Sequence, residues 1–168
     1  REVPGLFRPV IINLGPPIDV SEAGAADVFH RRESPFVAGM HGRHTIVRTP
    51  GEQYGVQLNL SPVGARIFFG IPMNELANRV VDLSDILGAE GEALVERLRE
   101  APGWPERFDL VDDALLRRFA NGGGLSEAMA WTWTRMVAAG GNLDVAALAE
   151  SIGWSGKRLI NECRDQVG

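Results

Sequence analysis

The chain is nearly free of cysteine. Its single thiol, Cys163, excludes an intramolecular disulfide and a multi-cysteine zinc site. No apolar run approaches the length of a membrane span, and a stretch such as Pro9 to Leu14, interrupted by Asn13, fits a strand. The N-terminus lacks the basic, apolar and small-residue regions of a signal peptide, so a cytoplasmic location without a membrane partner is expected. Signatures of catalysis are missing as well. No Gly-x-Ser-x-Gly occurs, and Gly122-Gly123-Gly124 follows no strand and meets no dinucleotide fingerprint. Gly153-Trp154-Ser155-Gly156-Lys157 carries part of a phosphate-loop pattern, but Arg158 stands where Ser or Thr must hold magnesium. His30, His41 and His44 share one region without the paired-His, Glu and His pattern of a metal-binding β-barrel enzyme. No acid–base or nucleophile constellation stands out, so no enzyme, metal or cofactor is expected.

What is present is the composition of an ordinary folded protein. The 168 residues are 45% hydrophobic and 23% charged, enough for one medium domain or two small ones. The net charge of −5 is unevenly spread. Residues 1–74 hold seven Arg against six acids, residues 75–118 six Arg against eleven acids, and residues 119–168 four bases against five acids. The acidic excess therefore belongs to the middle of the chain, and bulk charge decides nothing about nucleic acid.

The first third reads as short strands at Leu6–Leu14, Phe36–Met40, His44–Thr49 and Tyr54–Leu60, separated by Gly, Pro and charged turns. Val56, Leu58 and Leu60 alternate with polar or small partners, the period of a strand with one wet face. After Leu60 the period becomes helical. Ser61-Pro62 supplies cap and first-turn chemistry, and Val63, Ile67 and Phe68 follow at helical spacing up to Gly70. Pro72 to Leu76 starts another short helix. Leu94, Val95, Leu98 and Ala101 form one stripe, and Phe108, Val111, Leu115 and Phe119 another. Asn121-Gly122-Gly123-Gly124 is the clearest break. The expected division is a β-rich, sensor-like region at 1–74, an acidic helical segment at 75–120, a glycine-rich linker at 121–125 and a three-helix unit at 126–168.

In that last unit Ser126 caps a helix with Met129, Trp133, Met136 and Val137 on its core face, ended by Gly140-Gly141. Trp131 points away from that stripe. Asp144 caps a short helix presenting Val145, Leu148, Ala149 and Ile152, and Gly153-Trp154 turns the chain. Ser155 caps a third helix whose inward stripe is Leu159, Cys163 and Val167. This is helix-turn-helix spacing. Lys157, Asn161 and Arg164 fall opposite the inward stripe at about 100° per residue. Such a row suits a major groove, with Lys and Asn for base edges and Arg for bases or phosphate. From Ser155 to Arg164 three bases stand against Glu162.

The run Asp144-Val145-Ala146-Ala147-Leu148-Ala149-Glu150-Ser151-Ile152-Gly153-Trp154-Ser155, with Lys157-Arg158-Leu159 and Asp165-Gln166-Val167-Gly168, resembles the first helix-turn-helix of AraC-family transcription regulators. Upstream, Val10 to Gly15, Phe36 to His41, Gly55 to Pro62, Phe69 to Pro72 and Val80 to Leu83 are similar, more loosely, to the N-terminal region of a subgroup of that family. The resemblance implies an α+β chain: a small cupin-like β-barrel or roll with helices, then the three-helix unit. It implies a one-component, effector-responsive regulator that binds double-stranded operator DNA through Ser155, Lys157, Arg158, Asn161 and Arg164. A small-molecule effector and a second copy of the chain would be its other partners. Two positions depart from the family pattern: Cys163 stands where Phe is usual, and Asn161 where a basic residue is common. The pattern also continues past Gly168 into a second helix-turn-helix and normally has an aromatic-rich strand before Arg1, so the resemblance implies a fragment. The competing expectation is a non-enzymatic effector-binding or dimerisation module whose helix-turn-helix is vestigial.

Overall fold

The computed structural model describes residues 7–22, 24–39 and 45–168. Expectations placed on Leu6, Met40, His41 and His44 lie outside them. The described residues form a mixed α+β structure with two antiparallel sheets and seven α-helices.

The strands are β1 Arg8–Asn13, β2 Ile18–Glu22, β3 Ala25–Arg32, β4 Phe36–Ala38, β5 Val47–Arg48, β6 Gly55–Leu60 and β7 Val80–Asp82. A four-stranded sheet has the order β6-β1-β4-β7, and a three-stranded sheet the order β3-β2-β5. Period-two alternation explains how they stack. Val10, Ile12, Val37 and Val56 point from the larger sheet toward the helices. Ile11, Phe36 and Val80 point the other way, onto Ile18 and Val20 of β2. The larger sheet is thus covered on both faces, by helices and by the smaller sheet. Among the described residues no ladder joins the two sheets.

Sequence reasoning passed over β2 and β3. They follow the Gly15-Pro16-Pro17 break, and Phe29-His30-Arg31-Arg32 looks like a polar connection. Among the described side chains of β2, Ile18, Val20 and Ser21 are buried, the modest demand of a sheet covered on one side.

The helices are α1 Pro62–Phe69, α2 Leu83–Leu87, α3 Ala89–Glu100, α4 Trp104–Asn121, α5 Glu127–Ala138, α6 Val145–Ser151 and α7 Gly156–Gln166, with a 3-10 turn at Met73–Leu76. Ser61 caps α1 as expected, its Oγ accepting from the Gly64 N–H at 3.0 Å. The buried face of α1 is Pro62, Ala65, Phe68 and Phe69, so Val63 and Ile67 are flanking rather than central. Leu94, Val95, Leu98 and Ala101 of the α3 stripe are all buried.

The α4 stripe is corrected. Phe108 and Phe119 are 55% and 42% exposed, and the buried residues are Val111 and Ala114. The helix is rotated so that Val111 and the small Ala114 face the core. Arg107 fixes that rotation by donating to the carbonyls of Leu98 and Ala101, both at 2.9 Å, at the C-terminal end of α3. One core runs from Val10 to Ala114, so the β-rich region and the acidic segment fold around the same apolar centre. The glycine run follows α4 directly. A Cβ on Gly122 would lie 2.6 Å from the Ile67 carbonyl oxygen, so this glycine serves a close backbone approach as well as a break.

Candidate nucleic-acid interface

α5, α6 and α7 enclose a second, smaller core of Met129, Leu148, Ala149, Leu159 and Val167, edged by Trp133, Met136, Ile152, Trp154 and Cys163. Each helix begins on the residue whose side chain can satisfy its free amides. Ser126 Oγ accepts from the Met129 N–H at 3.4 Å. Asp144 Oδ1 accepts from Ala146 and Ala147 at 2.8 and 3.3 Å, and Ser155 Oγ from Arg158 at 3.2 Å. Between α6 and α7 the chain reverses at Gly153, whose φ of 70° is the left-handed backbone that glycine adopts without penalty. Two expected core residues are corrected: Val137 is 54% exposed and Val145 50%. Thr132 takes up the interior position on α5, its hydroxyl donating to the Ala128 carbonyl at 2.7 Å so that no polar atom is stranded.

On α7 the two faces separate cleanly. Leu159 and Val167 are buried and Cys163 half-buried, while Lys157, Asn161 and Arg164 are exposed together on the far side. Ile160, 44% exposed, lies between Arg164 and the inward stripe. Arg158 stands to one side of this row, its guanidinium 4.4 Å above the Trp154 ring. Ser155 is exposed, its hydroxyl used as the α7 cap. Trp131 is 40% exposed beneath the Arg135 guanidinium at 5.0 Å. Burial raises the pKa of the Cys163 thiol, and neighbouring Glu162 raises it further. The thiol is thus harder to ionise, and Cys163 packs at the edge of the helical core.

Two anchors of α7 escaped the sequence reading. Gln166 is buried; its Oε1 accepts from the Ser126 N–H at 2.9 Å, and its Nε2 donates to Glu162 at 2.6 Å, tying α7 to the start of α5. Arg8, only 1% exposed, reaches from β1 and donates through Nη2 to the Val167 carbonyl at 2.8 Å. Burial lowers the Arg8 pKa, and its Nη1 has no partner. The signal for Arg8 was available. It shares strand parity with Val10 and Ile12, so an inward β1 face must carry it inward too. The contact holds the C-terminal end of α7 against the sheet and leaves the exposed row free.

His30 is exposed on β3, and the described residues contain no cluster of three or more His, Cys, Asp or Glu side chains able to hold a metal. None of the described helices is long and apolar enough to cross a membrane. No protein-family model, curated protein or solved structure matches the chain.

Proposed function

We propose that residues 126–168 are the first helix-turn-helix of an AraC-type regulator and that α7 is its recognition helix, with the β-rich part serving as a cupin-like sensor. The observation that carries this reading is the row of Lys157, Asn161 and Arg164 on α7, exposed opposite a buried stripe and following a left-handed glycine turn, with exposed Ile160 at its edge. Its chemistry fits a major groove: Asn and Lys for base edges, an apolar contact for a thymine methyl, and Arg for guanine or phosphate. Resemblance to the AraC pattern from Asp144 to Gly168 supports the same assignment. The partners are operator DNA, a small-molecule effector and a second copy of the chain.

DNA retention by the 168-residue protein across a salt series is the test. With one recognition helix, binding is expected to be weak, on the order of 10⁻⁴–10⁻⁶ M, and steeply salt-dependent. Arg164→Ala should weaken binding to all sequences and flatten the salt slope by about one unit. Asn161→Ala should relax preference at one base pair, by about 1–3 kcal/mol. Unchanged binding in Lys157→Ala, Asn161→Ala and Arg164→Ala, with melting temperatures intact, sinks the assignment. That outcome promotes the effector or dimerisation module, which the exposed apolar side chains Trp104, Phe108, Leu116 and Phe119 of α4 favour.

A further inference from the structure

A cavity of about 180 Å³ opens between α3 and α4, remote in sequence from the row on α7. Its floor is apolar and buried: Phe68 from α1, Leu87 from α2, Leu94 from α3 and Ala114 from α4. Its wall is cationic. Arg117 and Arg118 project from successive positions of α4, and Glu90 of α3 is the one acid among the lining residues. Arg118 Nη2 pairs with Glu90 at 2.7 Å, while its Nε is buried without a partner. Among the described residues Arg117 makes no side-chain hydrogen bond or ion pair, and the same holds for Arg97 at the cavity edge.

Arg97 also borders a more open depression rich in acids, among them Glu100, Glu106 and Asp113. The two α4 arginines are therefore the donors that belong to the cavity alone. An unpaired guanidinium beside a second one held by a single half-exposed carboxylate, both over an apolar floor, suits an anion that brings its own apolar body. The size limits that body: an engineered apolar cavity of about 150 Å³ holds benzene.

We propose that this cavity binds a small organic monoanion, a carboxylate on an apolar body about the size of one aromatic ring. The ring lies on Phe68, Leu87, Leu94 and Ala114, and the carboxylate accepts from Arg117 and competes with Glu90 for Arg118. This goes beyond the DNA-binding reading, since occupancy does not depend on what α7 touches. If that reading also holds, the cavity supplies the effector site.

The test is calorimetric titration of the 168-residue protein with benzoate and with neutral, isosteric benzamide, in the absence of DNA. Benzoate is expected to bind at least about tenfold more tightly than benzamide. Glu90→Gln removes the competing carboxylate and should tighten benzoate by about two- to fivefold, the scale of a half-exposed ion pair. Arg117→Gln should weaken it. Ala93→Phe places a ring at the cavity mouth from an exposed position and should abolish binding while the melting temperature holds. Equal affinities for the two ligands, binding of neither, or benzoate binding indifferent to both Glu90→Gln and Ala93→Phe would overturn the proposal. DNA retention is scored separately, so failure of one reading is not confused with failure of the other.

Discussion

Replacing Arg8 separates what its volume does from what its charge does. The side chain is 1% exposed and makes a single hydrogen bond, to the Val167 carbonyl at the C-terminal end of α7. That bond and the helix dipole favour the guanidinium by about 2–4 kcal/mol together. Desolvating the cation opposes this by several kcal/mol, and the partnerless Nη1 recovers none of it. The two sides nearly cancel. Arg8→Met keeps most of the apolar stem and removes both terms, so stability should stay within about 1 kcal/mol of the parent. Arg8→Ala removes the stem as well and leaves a void against Met73 and α7, with an expected loss of about 2–4 kcal/mol. For a chain of this size that is roughly 5–15 °C in melting temperature. Urea unfolding followed by tryptophan fluorescence gives both numbers. A loss for Arg8→Met equal to that for Arg8→Ala would refute the reasoning, because charge on the α7 carbonyl would then outweigh its desolvation.

Gly122→Ala should destabilise by about 1–3 kcal/mol as its methyl meets the Ile67 carbonyl, whereas Gly123→Ala, where an added Cβ meets nothing within 4 Å, should change stability by less than about 1 kcal/mol; paired thermal melts compare them. Cys163→Phe should be neutral or stabilising, since the half-buried site beside Trp133 and Met136 opens to solvent; a loss above about 1 kcal/mol would show overpacking instead. The raised Cys163 pKa means that the folded thiol resists ionisation, so stability should fall as pH climbs through the ordinary thiol range. Alkylation by iodoacetamide at mildly alkaline pH should accordingly be slower than in the unfolded chain, and Glu162→Gln should speed it.

Caps and parity were the legible part of this fold. Ser61, Ser126, Asp144 and Ser155 each begin a helix where their side-chain chemistry says one should begin. The inward stripe of α7 and its exposed row also follow from 3.6-residue periodicity alone. The α4 face did so only in part, through Val111 and Leu115. Phe108 and Phe119 dominate any hydrophobicity-weighted stripe, yet the helix buries Val111 and Ala114, and Arg107 ties its start to the end of α3 with two carbonyl bonds. Strands β2 and β3 were hidden because a sheet covered on one face needs few apolar residues. The α3–α4 cavity was hidden for a different reason: Arg117 and Arg118 lie on the helical segment whose charges looked merely solvated, and only tertiary placement brings them over Phe68.

Strand β1 is apolar on both of its faces through its middle, Val10 and Ile12 toward the helices and Ile11 toward the second sheet. Alternation of greasy and polar residues cannot then decide its pairing, since a slip by one position would still bury hydrocarbon on each side. The Arg8 end breaks that symmetry. Asn13 folds back on the following turn, its Nδ2 donating to Pro16 at 2.6 Å and its Oδ1 accepting from Gly15 at 3.1 Å. Arg8 meets a helix-end carbonyl. Displaced by one residue, Arg8 would turn to the other face of the sheet and lose the Val167 carbonyl. A marginal contributor to stability thus becomes a penalty against the one-residue slip that the apolar residues of β1 would tolerate.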